Sequence, residues 1–175
     1  MGQDRQDGLY TQAAAQFAPA LERLARAHES DPDQRRDLLQ DIHLALWRSF
    51  VHFNEQCSLR TWVYRVAHNT GISGRIRRRR ARLVSLDEVE QTPAPGDAEA
   101  AAGDAQALAR LSALIRSLKP PDDQVMLLYL EDLDAAAIGE ITGLSAGAVA
   151  TRIHRIKKIL AGRFGRAPSG EGDDA

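Results

Sequence analysis

Apolar residues recur every three to four positions along nearly the whole chain, and no stretch shows the alternation of a half-buried strand. No Asn-Gly or Asp-Gly hairpin signal separates two apolar runs. The pattern predicts an all-α fold. A first helix is expected over Thr11 to His28. A second begins at "SDPDQ", where Ser30 or Asp31 can cap and Pro32 fits the first turn, and a third follows "NEQCS". These make an N-terminal helical bundle over residues 1–86.

The stretch "DEVEQTPAPGDAEAAAGD" is acidic, rich in Ala, Pro and Gly, and too poor in large apolar side chains to build a core. Residues 87–107 therefore read as a flexible linker. Helical pattern resumes at "ALARLSALIRSL", breaks at "KPPDD", and continues through two amphipathic stretches to Phe164. A second small helical domain is expected over residues 108–165, followed by a disordered tail over 166–175.

Stepping about 100° per residue along "DLLQDIHLALWRSF" gathers Leu38, Leu39, Ile42, Leu46 and Phe50 on one buried stripe. The other side collects Asp37, Gln40, Asp41 and Arg48, with Leu44 projecting among them and Trp47 at the edge. An apolar residue within an acidic face fits a protein partner; a solvated face with one stray leucine fits equally well.

The same geometry on "SLRTWVYRVAHNTGISGRIRRRR" turns Leu59, Val63, Val66, Ala67 and Thr70 toward the core and sets Trp62 and Asn69 at one margin. Arg60, Thr61, Tyr64, Arg65, His68 and Arg75 are expected to point outward. Guanidinium groups neutralise phosphates and aromatic rings stack on unpaired bases, so this mixture suits single-stranded nucleic acid. Asn69, beside Trp62, offers both a donor and an acceptor to a base edge. The alternative is a core tryptophan beside a solvated basic tail. Gly71 and Gly74 each cost about 1 kcal/mol relative to Ala in a helix. Either the helix weakens there or its backbone approaches something closely.

In "LDAAAIGEITGLSAGAVATRIHRIKKIL" a short helix meets Gly143 and Leu144 before Ser145, a suitable cap for the next helix. This is the grammar of a helix-turn-helix. Val149, Ile153, Ile156 and Leu160 form the buried stripe of the second helix, while Gly147, Thr151, His154, Arg155 and Lys158 face out. Such a set suits major-groove reading, with Arg155 the best candidate for a guanine contact. A plain helical hairpin with a basic rim is the other reading.

Charge changes the picture only once the chain is divided. The formal net charge is -1, yet Arg75, Arg77, Arg78, Arg79, Arg80 and Arg82 cluster, while Asp87, Glu88, Glu90, Asp97, Glu99 and Asp104 follow with no basic residue between them. The single cysteine, Cys57, cannot close an internal disulfide. No apolar run is long enough to span a bilayer and the first residues do not read as a secretory signal, so no membrane insertion and a cytoplasmic location are expected. There is no GxxxxGK[ST] phosphate loop, no Cys-pair zinc spacing and no convincing catalytic constellation. No cofactor, no metal and no enzymatic activity are expected.

Three segments, "RRDLLQDIHLALWRSF", "SLRTWVYRVAHNT" and "AAAIGEITGLSAGAVATRIHRIKKIL", resemble the extracytoplasmic-function (ECF) subfamily of bacterial sigma-70-type RNA polymerase sigma factors. They stand in the order and spacing of the family's regions 2 and 4, and the likeness runs from about Leu9 to Phe164. The resemblance implies core RNA polymerase as partner, through the β′ clamp helices and the β subunit, with Asp37, Gln40, Asp41 and Leu44 on the clamp contact. It implies that Phe53 and Asn54 of the loop "FNEQCS", with Asn69, receive a flipped base of the minus-10 element. Arg60, Trp62, Tyr64, Arg65, Arg75 and Arg78 would lie beside the opening strands. Thr151, Arg152, His154, Arg155 and Lys158 would read the minus-35 duplex, and the acidic linker would thread toward the RNA exit path. A separate anti-sigma factor is the implied regulator. Ala146, Ala148 and Ala150 stand where the family often has Pro, Thr and a basic or polar residue, which implies a different minus-35 readout. The competing reading is a stand-alone helix-turn-helix regulator of duplex DNA.

Overall fold

A computed structural model of the chain describes residues 2–84 and 103–164. All regular structure among the described residues is helical, and the chain divides into two compact units, Met1–Asp97 and Ala98–Ala175.

The first unit packs three long helices. Helix α1 (Gly2–His28) begins nine residues before the expected Thr11. Residues 2–10 carry little apolar periodicity and are held by tertiary contacts instead. The Gln6 amide donates to the Trp47 carbonyl at 2.7 Å, the Trp47 indole N–H donates to Asp7 at 2.8 Å, and Arg5 pairs with Glu55 at 3.1 Å. Helix α2 (Pro32–Ser49) starts where the sequence predicts: the Asp31 carboxylate accepts the N–H groups of Asp33 and Gln34 at 3.0 and 2.9 Å, and Pro32 occupies the first turn. A 3-10 turn (Phe50–His52) leads into the loop before α3 (Leu59–Val84), whose first N–H groups are capped by Ser58, with the Thr61 N–H donating to its hydroxyl at 3.0 Å.

Phe17, Leu21 and Leu24 of α1, Leu38, Ile42 and Leu46 of α2, and Val63, Tyr64 and Ala67 of α3 form the core with Phe50 and Phe53. Helix α3 runs unbroken through both of its glycines. A Cβ on Gly71 would lie 2.6 Å from Cδ2 of the His28 ring, so close approach is what this glycine serves.

The second unit holds α4 (Gly103–Arg116), α5 (Asp122–Leu130), α6 (Ala135–Thr142) and α7 (Ala146–Phe164). Helix α4 starts at Gly103, inside the linker expected over residues 87–107. The rest of that linker, and the tail expected to be disordered from residue 166, lie outside the described residues. Ile115, Met126, Ile156 and Leu160 form a core cluster against which Leu111, Leu114 and Leu118 pack.

The turn between α6 and α7 is built from small residues for steric reasons. Gly143 adopts φ 78°, a left-handed conformation, and its N–H closes α6 on the Gly139 carbonyl at 2.8 Å. A Cβ on Gly139 would sit 2.6 Å from the Leu144 carbonyl oxygen. The Ser145 hydroxyl accepts the Ala148 N–H at 3.2 Å and opens α7. No helix among the described residues is long and apolar enough to cross a membrane.

Candidate nucleic-acid interface

Helix α2 separates its two faces cleanly. Leu38, Ile42 and Leu46 are buried and Leu39 is half-buried, while Asp37, Gln40, Asp41 and Arg48 are exposed, and Leu44 stands among them 46% exposed. Asp41 is paired across to Arg77 of α3 at 3.2 Å, so the acidic face and the basic stretch adjoin. Both partners are well exposed, which makes the pair an electrostatic link more than a stabilising one.

Helix α3 is buried along a stripe turned from the one its apolar pattern predicts. Tyr64, expected to point outward, is 3% exposed and meets Phe17 edge-on, with ring centroids 6.3 Å apart. Thr61 and His68, also expected outside, are buried as well. The buried set is one broad stripe turned toward Tyr64 and His68, which meet Phe17 and His28 of α1, while Leu59, Val66 and Thr70 on the expected line are half-buried. Phe53 is another correction: at 4% exposure it is core, flanked by Phe50 at 6.1 Å and Trp62 at 5.3 Å. Neither Tyr64 nor Phe53 presents a free ring to a base.

What remains at this surface is a half-buried Trp62 between polar groups. Its indole N–H donates to the Ser49 hydroxyl at 2.9 Å, and the Arg65 guanidinium lies 5.9 Å from its ring centroid. Asn54 and Asn69 are exposed, as is Arg60, whose guanidinium sits 5.7 Å from the Tyr64 ring. Val51, an apolar residue that the helical pattern did not single out, is exposed just ahead of the loop. Glu55 within that loop takes φ 62° and is pinned by Arg5. Of the basic run, Arg75 is half-buried, and Arg78 pairs with Glu29 at 2.9 Å in a largely sheltered position.

Behind this surface lies a buried imidazole pair. The rings of His28 and His68 are 5.7 Å apart, and neither ring nitrogen of His28 has a hydrogen-bond partner among the described residues. Burial, then the neighbouring His68, Arg75 and Arg78, push the His28 pKa down to about 3, so this ring is neutral at physiological pH. Among the described residues no cluster of three or more His, Cys, Asp or Glu side chains could hold a metal ion.

In the second unit α7 keeps the faces that its periodicity predicts. Val149, Ile156 and Leu160 are buried and Ile153 is half-buried, while Gly147, Thr151, His154, Arg155 and Lys158 are exposed. Arg152 is partly covered. The new feature is Asp122, at the start of α5, whose two carboxylate oxygens accept from Arg152 at 2.7 Å and Arg155 at 2.6 Å. In the sequence it sits in "KPPDD" and reads only as punctuation between helices; its one local signal is an acid in a first turn.

The Sigma-70 region 2 family matches residues 14–82, and Sigma-70 region 4 matches residues 108–160. The ECF RNA polymerase sigma factor SigW of Bacillus subtilis is 30% identical over 151 residues, covering 78% of this chain and 76% of that relative. The chain belongs to the ECF sigma factors of RNA polymerase. SigE of Mycolicibacterium smegmatis, also an ECF sigma factor, is 30% identical over 149 residues; the match covers 83% of this chain and 57% of that longer relative.

Two solved structures share the fold of this sigma factor. The sigma factor RpoE of Bartonella quintana, determined with the anti-sigma factor NepR, aligns with a TM-score of 0.69 at 19% identity, covering 91% of this chain and 98% of that one. CnrH, determined with the cytosolic domain of CnrY, aligns at 0.64 and 23% identity, covering 89% and 86%. The family membership removes the stand-alone regulator as a reading of the whole chain, because a regulator accounted only for the second unit.

Proposed function

We propose that this sigma factor divides its work among three surfaces: α2 for core polymerase, the α3 surface with its preceding loop for the melted minus-10 element, and α7 for the minus-35 duplex. The observation that carries the reading is Leu44, an exposed leucine ringed by exposed Asp37, Gln40 and Asp41 on a helix whose other face is fully used by the core. An apolar residue in that setting gains its burial from another chain. The β′ clamp helices of core polymerase are the occupant, with the β subunit completing the polymerase contact.

At the minus-10 element, recognition couples to strand separation. Unpairing and unstacking a base costs a few kcal/mol, offset by stacking and by hydrogen bonds in the receiving site. Asn54 and Asn69 supply the polar groups, Trp62 supplies the one partly open ring, and Arg60, Arg65 and Arg75 supply positive charge for phosphates. Arg78 acts behind them through its pair with Glu29. Thr151, Arg152, His154, Arg155 and Lys158 read or grip the upstream duplex, Ala150 leaving the readout to its neighbours. No chemical step is required of the chain and it works without cofactor, in the cytoplasm. By likeness to RpoE, solved with the anti-sigma factor NepR, a separately encoded anti-sigma factor covers these surfaces until released.

The test combines the purified chain with sigma-free core polymerase and fragmented genomic DNA. Discrete transcript starts sharing upstream motifs are expected, and binding without starts would overturn the reading. Leu44→Ala with Asp41→Ala is expected to weaken competition for core while helical content holds. Asn69→Ala is expected to change preference at a single minus-10 position; an unchanged promoter profile would remove it from the site.

A further inference from the structure

Arginines on a DNA-reading helix have two fates. On a phosphate they add affinity that is blind to sequence; on a guanine edge they add discrimination. Arg155 is 56% exposed, on a long and flexible side chain, and nothing on α7 itself directs it to one fate over the other. The direction comes from a different helix. Asp122, 18% exposed at the N-terminus of α5, accepts from Arg152 Nη1 with one oxygen and from Arg155 Nη2 with the other. Both contacts lie at the short end of charge-assisted hydrogen bonds.

We propose that Asp122 is a positioning residue that makes the minus-35 contact selective, by holding the Arg152 and Arg155 guanidiniums in one orientation and by setting a negative charge against loose phosphate binding. The inference rests on the reading that α7 enters the duplex groove. A guanidinium has five N–H donors in a rigid fork, so giving one to Asp122 leaves others for a base edge while the rotamer is fixed. The fixed rotamer lowers the ordering cost of the bidentate contact. The carboxylate meanwhile cancels part of the charge that would otherwise seek phosphates in any register, which trades non-specific affinity for discrimination. Lys157, the neighbouring cation, donates to the Tyr129 hydroxyl at 3.2 Å and lies 5.3 Å from that ring's centroid, so its ammonium has a partner other than Asp122.

The test uses holoenzyme assembled from core polymerase and the full chain. The DNA is a promoter fragment randomised over its upstream element, with a duplex lacking promoter elements as the non-specific competitor. Asp122→Asn is nearly isosteric and removes the charge. Base preference at the position read by Arg155 is expected to fall about tenfold. Non-specific binding should rise severalfold, and the log-log salt slope should steepen by about one. Both changes should vanish in an Arg155→Ala, Arg152→Ala background. Asp122→Glu, which keeps the charge but displaces it, should restore the salt slope without restoring full preference.

If Asp122→Asn leaves preference and slope unchanged while Arg155→Ala erases one base preference, α7 reads DNA and the positioning role is wrong. A uniform loss across all sequences with an unchanged slope means that Asp122 only supports the fold, and it overturns the proposal too. If neither arginine substitution alters any base preference, the reading of α7 fails and takes this inference with it.

Discussion

The two units solve the problem of presenting arginines in opposite ways. In the first, Arg77 and Arg78 are each met by a carboxylate from outside α3, Asp41 of α2 and Glu29 of the connection before it, around a core that also swallows Phe53 and Tyr64. In the second, one carboxylate serves two arginines on a helix whose outward face is otherwise open. The first arrangement ties a basic stretch down along the body of a bundle. The second holds two side chains in a fixed fork beside a groove-sized helix. The difference matches the substrates proposed for them: strands that must be led along a surface, and a duplex whose base edges must be met in register.

The comparison extends to how each unit is held together, and it can be broken at its glycines. Gly139 faces the Leu144 carbonyl, a backbone atom with no room to yield, so Gly139→Ala is expected to destabilise the second unit by about 3 kcal/mol. Gly71→Ala presses on the His28 ring instead and should cost the first unit about 2 kcal/mol. The two are separable in the intact chain. Both tryptophans, Trp47 and Trp62, lie in the first unit. Tryptophan fluorescence should therefore follow Gly71→Ala alone, whereas far-UV circular dichroism should register an early transition in Gly139→Ala with the fluorescence midpoint unmoved. A common shift of both probes would show that the units melt together.

Acid should distinguish the units next. The unfolded chain binds a proton at His28 near the ordinary pKa of 6.5, while the folded first unit refuses it until about 3. The stability is therefore complete above pH 6.5 and is lost as pH falls toward 3, at about 1.4 kcal/mol per pH unit for one such group. By pH 5 the first unit should have lost about 1 to 2 kcal/mol relative to neutral pH. Burial lowers His43 in the same direction. In the second unit the one histidine, His154, is exposed. Tryptophan-detected melts should fall with acid and flatten in His28→Phe; a pH-independent midpoint would show that the pair opens to solvent.

The smallest effect sharpens the electrostatic half of the comparison. Arg77→Ala removes an ion pair between two exposed side chains and should change stability by no more than about 0.5 kcal/mol. If fluorescence-detected denaturation gives a loss several times larger, the basic stretch is a structural strut rather than a surface held for another molecule.

Much of the fold is legible because it is local. The Asp31 cap, the break at "KPPDD", the stripe of α7 and the Gly143 turn each follow from neighbours in sequence, and the backbone obeys them. The burial of α2 is equally legible, since it packs through one stripe and leaves the opposite face to solvent. Helix α3 misleads because its buried stripe is centred on Tyr64 and His68, a phenol and an imidazole that an apolar pattern leaves outside but that pack against Phe17 and His28. That is why Tyr64, Thr61 and His68 went inward, and why the expected platform of rings narrowed to Trp62. The early start of α1 is not written locally, because residues 2–10 are held by Trp47 and Glu55, more than thirty residues away along the chain.

The sequence by itself determined the helical class, the capped boundaries, the outward sets on α2 and α7, and the order of motifs that marks an ECF sigma factor. These depend on period, turn chemistry and residue type, which are written along the chain. Only the tertiary structure decided which rings are free, that Gly71 exists for the His28 ring, and that Arg152 and Arg155 share Asp122. The Tyr64–Phe17, Gly71–His28 and Asp122–arginine pairings each join groups thirty or more residues apart, and a pairing at that distance is fixed by how helices pack, which no local pattern records.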